Sequence, residues 1–187
     1  MKDWNEITVM LKMEKAEAIN RLREMGYHHE VTYLIHDYYY LPQDTDLNVD
    51  ILQLLNKMVL IRKFNELVRL TIKHKEYAPD GSITSQSNID LPVQSFEEAK
   101  AFLEALGYKE VMQILDEATI MKRDGLGFVI ENVNNGSWLM LEIEENEQYP
   151  KIVDLKKKLK ESGLLYDDSD YYVKNAKLVY ETTVIPD

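Results

Sequence analysis

The feature that most constrains the fold is a ten-residue pattern that occurs twice. Residues 18–27 and residues 99–108 share the spacing Ala-x3-Leu-x2-apolar-Gly-Tyr, and the two copies are 81 residues apart. Each copy has the spacing of a helix that ends at a glycine, and each lies between two segments with strand character. A period this long indicates a duplication rather than a solenoid. The chain is therefore predicted to use a strand-helix-strand unit twice, with its ligand between two similar halves.

Composition excludes several classes of function. The 187 residues carry 22 Lys and Arg against 33 Asp and Glu, and the net charge of −11 argues against nucleic acid and anionic membranes as partners. The absence of cysteine excludes disulfides and thiolate metal sites. The sequence contains no run of about 18 apolar residues that would predict a membrane span, and its first residues lack the apolar run of a signal peptide. A cytoplasmic protein with one domain over residues 1–187 is expected; an oligomer is compatible with the sequence, which does not specify one.

Hydrophobic periodicity and turn residues predict eight or nine strands and three or four helices. The predicted strands are 6–12, 29–40, 59–62, 67–73, 83–93, 111–121, 128–133, 137–144 and, as a last addition, 171–181. The predicted helices are 14–25, 95–106 and 152–162, with a helical or irregular connection over 46–58.

Three of the predicted strands carry polar residues on one face and apolar residues on the other. The polar faces hold Glu6, Thr8, Met10 and Lys12, then Arg69, Thr71 and Lys73, then Glu142 and Glu144. Because the apolar faces must be buried against helices, the polar faces would line an interior that tolerates charge. This pattern predicts an α+β fold, an antiparallel β-barrel or tunnel of about eight strands with helices packed outside. The alternative is a sheet with one solvated face.

The distribution of charge suggests what such an interior would bind. Acidic residues at one rim and basic residues along the wall suit a metal-bridged polyphosphate. Hard cations such as Mg²⁺ take carboxylate oxygens and share substrate phosphates, while Lys and Arg neutralise the remaining phosphate charge.

Four segments resemble the CYTH family, the triphosphate tunnel metalloenzymes that include class IV adenylyl cyclases and thiamine triphosphatases. The segments are 6–12 with the helix that ends at Gly26, then 36–40, then 59–62 with 70–73, then 130–133 with 141–144. The resemblance covers about residues 5–145 in the expected order, which leaves 146–187 as a C-terminal helix and strand.

The resemblance implies roles for individual residues. Arg62 and Lys73 match positions that bind phosphate, and Lys12 matches a basic position beyond the first motif that would also hold phosphate. Arg69, in a position that the resemblance does not assign, shares a face with Lys73 and would either replace a lost phosphate ligand or pair with a carboxylate of the wall. The implied ligands of Mg²⁺ or Mn²⁺ are four acidic residues, Glu6, Glu131, Glu142 and Glu144.

The chain also departs from the family pattern. Thr8 stands where the second motif glutamate belongs, Met10 replaces the motif lysine, and Leu60 replaces the first arginine of the third segment. The expected function is binding of a triphosphate or another phosphorylated small molecule, with weak metal-dependent phosphohydrolase activity as the enzymatic hypothesis. The alternatives are a non-catalytic protein whose tunnel binds another ligand, and a class IV adenylyl cyclase.

Overall fold

The computed structural model describes residues 5–184. Its strands are β1 (Glu6–Met10), β2 (His28–Pro42), β3 (Val59–Phe64), β4 (Leu67–Tyr77), β5 (Ile83–Val93), β6 (Tyr108–Arg123), β7 (Leu126–Val133) and β8 (Trp138–Glu144). Its helices are α1 (Lys15–Glu24), α2 (Ile51–Leu55), α3 (Phe96–Ala105), α4 (Ile152–Glu161) and α5 (Asn175–Thr183).

The eight strands are antiparallel and follow the hydrogen-bonded order β1-β8-β7-β6-β2-β3-β4-β5. The predicted α+β class with about eight antiparallel strands is therefore confirmed. The residues group into two compact units. The first unit contains 5–33, 77–84 and 116–173, and the second contains 34–76, 85–115 and 174–184. Each unit combines separate stretches of sequence, and the assignment of the whole chain to one domain stays a prediction.

The core of the first unit lies between its strands and helices α1 and α4. Ile7, Val9 and Leu11 pack in one cluster with Leu22 of α1 and Leu155 of α4. The neighbouring strands β7 and β8 contribute buried apolar residues to the same cluster. The prediction that this face of β1 packs against helices is confirmed, and the polar face of β1 consequently points away from them.

The core of the second unit lies between β2, β3 and α3. Tyr40 and Ile61 are fully buried and pack against Ala99 and Leu103 of α3. Val68 and Leu70 of β4 join the same cluster, together with other partly buried apolar residues. Because strand residues alternate, Arg69 lies on the opposite face of β4 from α3.

The duplicated sequence pattern produces the same local structure in both units. The alanine and leucine positions are buried in α1 (Ala18 and Leu22) and in α3 (Ala99 and Leu103). Gly26 and Gly107 follow these helices with φ values of +87° and +79°, a conformation that favours glycine. The two tyrosines after these glycines pack into the two clusters. The repeat is confirmed at the level of helix, turn and following strand.

Two boundaries at the ends of the chain differ from the sequence-based predictions. The prediction of a strand over residues 171–181 is wrong, because 175–183 form α5. Its buried residues Val179 and Tyr180 follow the half-buried Ala176 with helical spacing, and α5 packs against α2. The prediction that β1 extends to Lys12 is also wrong. β1 ends at Met10, because the Lys12 amide donates to the carbonyl of Leu165 in the C-terminal segment.

Within residues 5–184, no helix has the length and apolar character needed to cross a membrane. The cytoplasmic location stays a prediction.

Candidate functional site

The polar face of β3 and β4 in the second unit places two arginines directly opposite each other. Arg62 of β3 pairs with Arg69 of β4 in the antiparallel register, so their side chains leave the sheet on the same side. Lys73 lies four residues further along β4 and alternation puts it on the same face. The predicted grouping of Arg62, Arg69 and Lys73 on one strand face is thus present. Their binding of phosphate stays a prediction.

Asp37 of β2 holds Arg62 through a bidentate ion pair. Arg62 Nε donates to Asp37 Oδ1 at 2.7 Å, and Arg62 Nη2 donates to Oδ2 at 2.6 Å. Only 6% of the Asp37 side chain is exposed. Burial lowers the pKa of Arg62, but the hydrogen bonds and the charge of Asp37 outweigh burial and leave this pKa above its usual value. Arg62 therefore carries a permanent charge that Asp37 already compensates.

Arg69 differs from Arg62 in its partners. It is half-buried, and no carboxylate within residues 5–184 forms an ion pair with its guanidinium. A guanidinium has five N–H donors in a planar fork that matches carboxylate and phosphate oxygens. The alternative that Arg69 merely pairs with a carboxylate of the wall is not what the structure shows. Arg69 is the basic group of this face that is best placed to accept an anion.

A second acid lies on the same face. The buried hydroxyl of Thr71 donates to Asp90 Oδ1 of β5 at 2.6 Å. The charge of Asp90 also contributes to the raised pKa of Arg62. This face consequently combines two arginines with two aspartates, and its charge is less positive than the spacing of Arg62, Arg69 and Lys73 suggests.

The acidic residues predicted to bind metal lie in the first unit. Glu6 of β1 is directly opposite Glu144 of β8, and Thr8 is opposite Glu142. Glu131 of β7 is opposite Met140, diagonal to Glu142 on the same face. Burial, together with the nearby charge of Glu6, raises the pKa of Tyr77 to about 12. The four acids therefore share the sheet face that points away from α1 and α4.

Sharing a face is not sufficient to hold a cation. Metal ions such as Mg²⁺ need several oxygen ligands at about 2.0–2.1 Å around one point. In the part of the chain that the structure describes, no three Asp, Glu or His side chains gather in such a group. The arrangement does not fit a resident metal, so no chemical step is assigned to one, and Mg²⁺ or Mn²⁺ binding stays a prediction.

Lys12 lies beyond the end of β1, which stops at Met10. Its side chain is 58% exposed, and its ammonium forms an ion pair of 3.1 Å with Asp167. Asp167 also accepts hydrogen bonds from the hydroxyl and amide of Ser169. Lys12 thus fastens the C-terminal segment to the end of β1, and an anion would have to compete with Asp167 for it.

Asp37 and Asp90 are the two acids of this face that have no predicted role. In β2, the sequence neighbours of Asp37 are His36 and Tyr38, and Tyr38 packs in the cluster beside α3. Asp37 lies on the opposite face of β2, together with Tyr39, where it is buried and directly opposite Arg62 of β3. An isolated acid in a strand of aromatic residues was the available signal, because a buried carboxylate needs a charged partner.

Known structures resemble the whole chain, although no family model and no curated protein sequence matches it. HpAC1 from Hippeastrum, a candidate adenylyl cyclase with a dominant triphosphatase activity, is 15% identical with a TM-score of 0.67, and the match covers 98% of both chains. The PH1819 protein from Pyrococcus horikoshii is 20% identical with a TM-score of 0.68, over 96% of this chain and 99% of that one. A candidate adenylate cyclase from Bacillus halodurans is 14% identical with a TM-score of 0.60, over 94% and 96% of the two chains.

The chain shares its fold with these proteins. At such low identity the similarity establishes the fold alone. It agrees with the fold expected from the resemblance to triphosphate tunnel enzymes, but it does not transfer an activity. The chemistry of this chain has to be argued from its own residues.

Proposed function

We propose that this protein binds a phosphorylated small molecule on the polar face of β3 and β4, and that it hydrolyses triphosphates slowly. The observation that carries the proposal is the half-buried Arg69 guanidinium, which has no carboxylate partner within residues 5–184 although it lies opposite Arg62. Two like charges directly opposite each other on a sheet are unfavourable unless something compensates them. Asp37 compensates Arg62, and an anionic ligand would compensate Arg69.

The residues around Arg69 define how the anion would be held. Arg69 offers a bidentate contact, which is shorter and stronger than a neutral hydrogen bond. Lys73 on the same face would bind a further oxygen or a second phosphate group. Arg62 contributes less than Arg69, because Asp37 engages two of its donors and compensates its charge.

A second candidate function is metal-dependent hydrolysis or cyclisation of a triphosphate. The acids Glu6, Glu142 and Glu144 on one face of the first unit favour it. The dominant triphosphatase activity of HpAC1, whose fold is similar, also favours it. Against it, Thr8 and Met10 supply no carboxylate and no ammonium at the two positions where the related enzymes carry charge, which predicts weak turnover.

A thermal-shift series combined with a phosphate-release assay distinguishes these functions. Purified protein is incubated with tripolyphosphate, ATP or pyrophosphate, with EDTA, Mg²⁺ or Mn²⁺. Binding with slow hydrolysis predicts a raised melting temperature in EDTA and little phosphate release with either metal. Rapid metal-dependent release would contradict the proposal and establish the hydrolase. Cyclic nucleotide formation from ATP would establish the cyclase.

A further inference from the structure

A cleft of about 230 Å³ opens beside Arg69, at the ends of β4 and β5 in the second unit. Its apolar lining comes from Leu67, Val68, Pro92 and Val93, of which Val68 and Val93 also pack in the cluster beside α3. Its charged residues are Arg69, Glu66 and Asp90. The cleft therefore joins the Arg69 guanidinium, which has no carboxylate partner within residues 5–184, to an apolar surface and to two carboxylates.

The charges of this lining restrict the ligand. One guanidinium and two carboxylates leave the cleft with an excess of negative charge. One oxygen of Asp90 accepts from Thr71, and Glu66 is exposed beside the β3–β4 turn. A polyanion inside the cleft would be attracted by Arg69 and repelled by both acids. A ligand with one anionic and one cationic end would find a partner for each.

The size of the cleft restricts the ligand further. A cavity of about 150 Å³ accepts benzene, whereas sites for drug-sized molecules occupy about 300–1,000 Å³. The cleft thus suits a compact molecule whose short apolar body packs against residues such as Leu67 and Pro92.

We propose that this cleft binds a compact zwitterion, with its anionic group on Arg69 and its ammonium group near Glu66 and Asp90. The inference rests on the proposed function, since both use Arg69 as the anion contact, and it specifies the organic part of the ligand. The anionic group is a phosphate or a carboxylate. Any additional phosphate groups would extend along β4 towards Lys73 and away from Glu66.

Isothermal titration calorimetry with four small probes tests the inference. O-phosphoethanolamine and β-alanine carry both charges, ethyl phosphate lacks the ammonium, and ethanolamine lacks the anion. One zwitterion is expected to bind about tenfold or more tightly than either singly charged probe, because a hydrogen bond between charged groups is worth about 1.5–3 kcal/mol. The better zwitterion identifies phosphate or carboxylate as the anionic group.

The Glu66→Gln variant gives the sharpest signature. It should weaken binding of the zwitterion and strengthen binding of ethyl phosphate, because the lost carboxylate attracts ammonium and repels phosphate. Glu97→Gln is the matched control, since Glu97 is an exposed acid of the same unit that does not line the cleft. If Glu66 had only a structural role, Glu66→Gln would weaken binding of both the zwitterion and ethyl phosphate.

The outcomes separate this inference from the proposed function. Failure of both O-phosphoethanolamine and β-alanine to bind the wild-type protein more tightly than ethyl phosphate would overturn the zwitterion inference. So would binding of tripolyphosphate through Arg69 and Lys73 with no binding of any zwitterion, although the proposed function would then stand. Absence of binding by all phosphate compounds and by β-alanine would overturn both.

Discussion

Arg62 and Arg69 lie directly opposite each other on β3 and β4, yet only Arg62 has a carboxylate partner within residues 5–184. The two arginines therefore differ in role although they are equivalent in register. Asp37 makes Arg62 a structural cation. Arg69 retains its donors for a ligand, and this asymmetry is the basis of the proposed anion site.

Breaking the Asp37–Arg62 pair should destabilise the protein strongly. Arg62→Met leaves a buried carboxylate without a counter-charge, which costs about 3–5 kcal/mol. The double variant Asp37→Leu with Arg62→Met should recover most of that loss, because it leaves no unpaired charge. Urea unfolding measures the free energies. The control is Lys177→Met, which breaks an exposed ion pair with Glu181 and should cost about 0–1 kcal/mol. A loss for Arg62→Met no larger than the control would show that Asp37 is solvated.

Gly26 and Gly107 should respond alike to substitution. At φ +87° and +79°, alanine would adopt a left-handed conformation, at a cost of about 1–2 kcal/mol. A Cβ at Gly107 has no neighbour within 4 Å among the described atoms, and at Gly26 it meets Arg123 at 3.5 Å, an ordinary contact. Asparagine tolerates this conformation and should cost less than alanine at both sites. If Gly26→Ala cost far more than Gly107→Ala, packing rather than backbone conformation would control the turn.

The regular elements were predictable from sequence because their signals are local. A serine three residues before a glutamate is a local signal for the start of α3, and the Ser95 hydroxyl accepts from the Glu98 amide at 3.1 Å. The faces of β1 and β4 followed from simple alternation. The predicted strand over 171–181 failed because its aromatic and β-branched residues resemble a strand, whereas packing of Val179 and Tyr180 favours a helix. Local propensity cannot anticipate such tertiary contacts.

The candidate site was less predictable for a similar reason. The presence of Arg69 and Lys73 on one face could be derived from their spacing. The pairing of Arg62 with Asp37, and of Thr71 with Asp90, depends on contacts between strands that are distant in sequence. These acids change the net charge of the face, which no single strand reveals.

Asp167 should make stability depend on acid pH. Hydrogen bonds from Ser169 are the main cause that lowers the pKa of Asp167 to about 2, and the ion pair with Lys12 adds to it. This pKa lies below the ordinary value of 3.8, so ionised Asp167 stabilises the folded protein at pH values above 3.8. That stabilisation is lost as the pH falls towards 2. Melting temperatures of wild type and Asp167→Asn should therefore converge between pH 5 and 2. Asp168→Asn, at an exposed neighbour, should show no such convergence. A pH-independent difference for Asp167→Asn would contradict this account.

Restoring charge on β1 tests the acidic face of the first unit. Thr8 is only 4% exposed and lies opposite Glu142, so Thr8→Glu should lower the melting temperature through burial and like-charge repulsion. Met10→Lys, diagonal to Glu142, should offset part of this loss.

Mn²⁺ should then stabilise the Thr8→Glu, Met10→Lys double variant more than the wild type and raise phosphate release from tripolyphosphate. The control is Thr8→Gln with Met10→Lys, which has the same lysine but no charge at position 8. An equal effect of Mn²⁺ on both double variants would show that Glu142 and its neighbours do not form a metal site.

Calorimetric binding of tripolyphosphate in EDTA to the wild type and to the double variant Arg69→Gln with Lys73→Gln tests the proposed anion site most directly. The wild type is expected to show measurable metal-independent binding. A loss of about a hundredfold or more is expected in the variant, since two charge-assisted contacts are removed. Arg23→Gln with Lys100→Gln removes two positive charges from α1 and α3 and should bind like the wild type. Equal affinity of the wild type and the Arg69→Gln, Lys73→Gln variant would contradict the account.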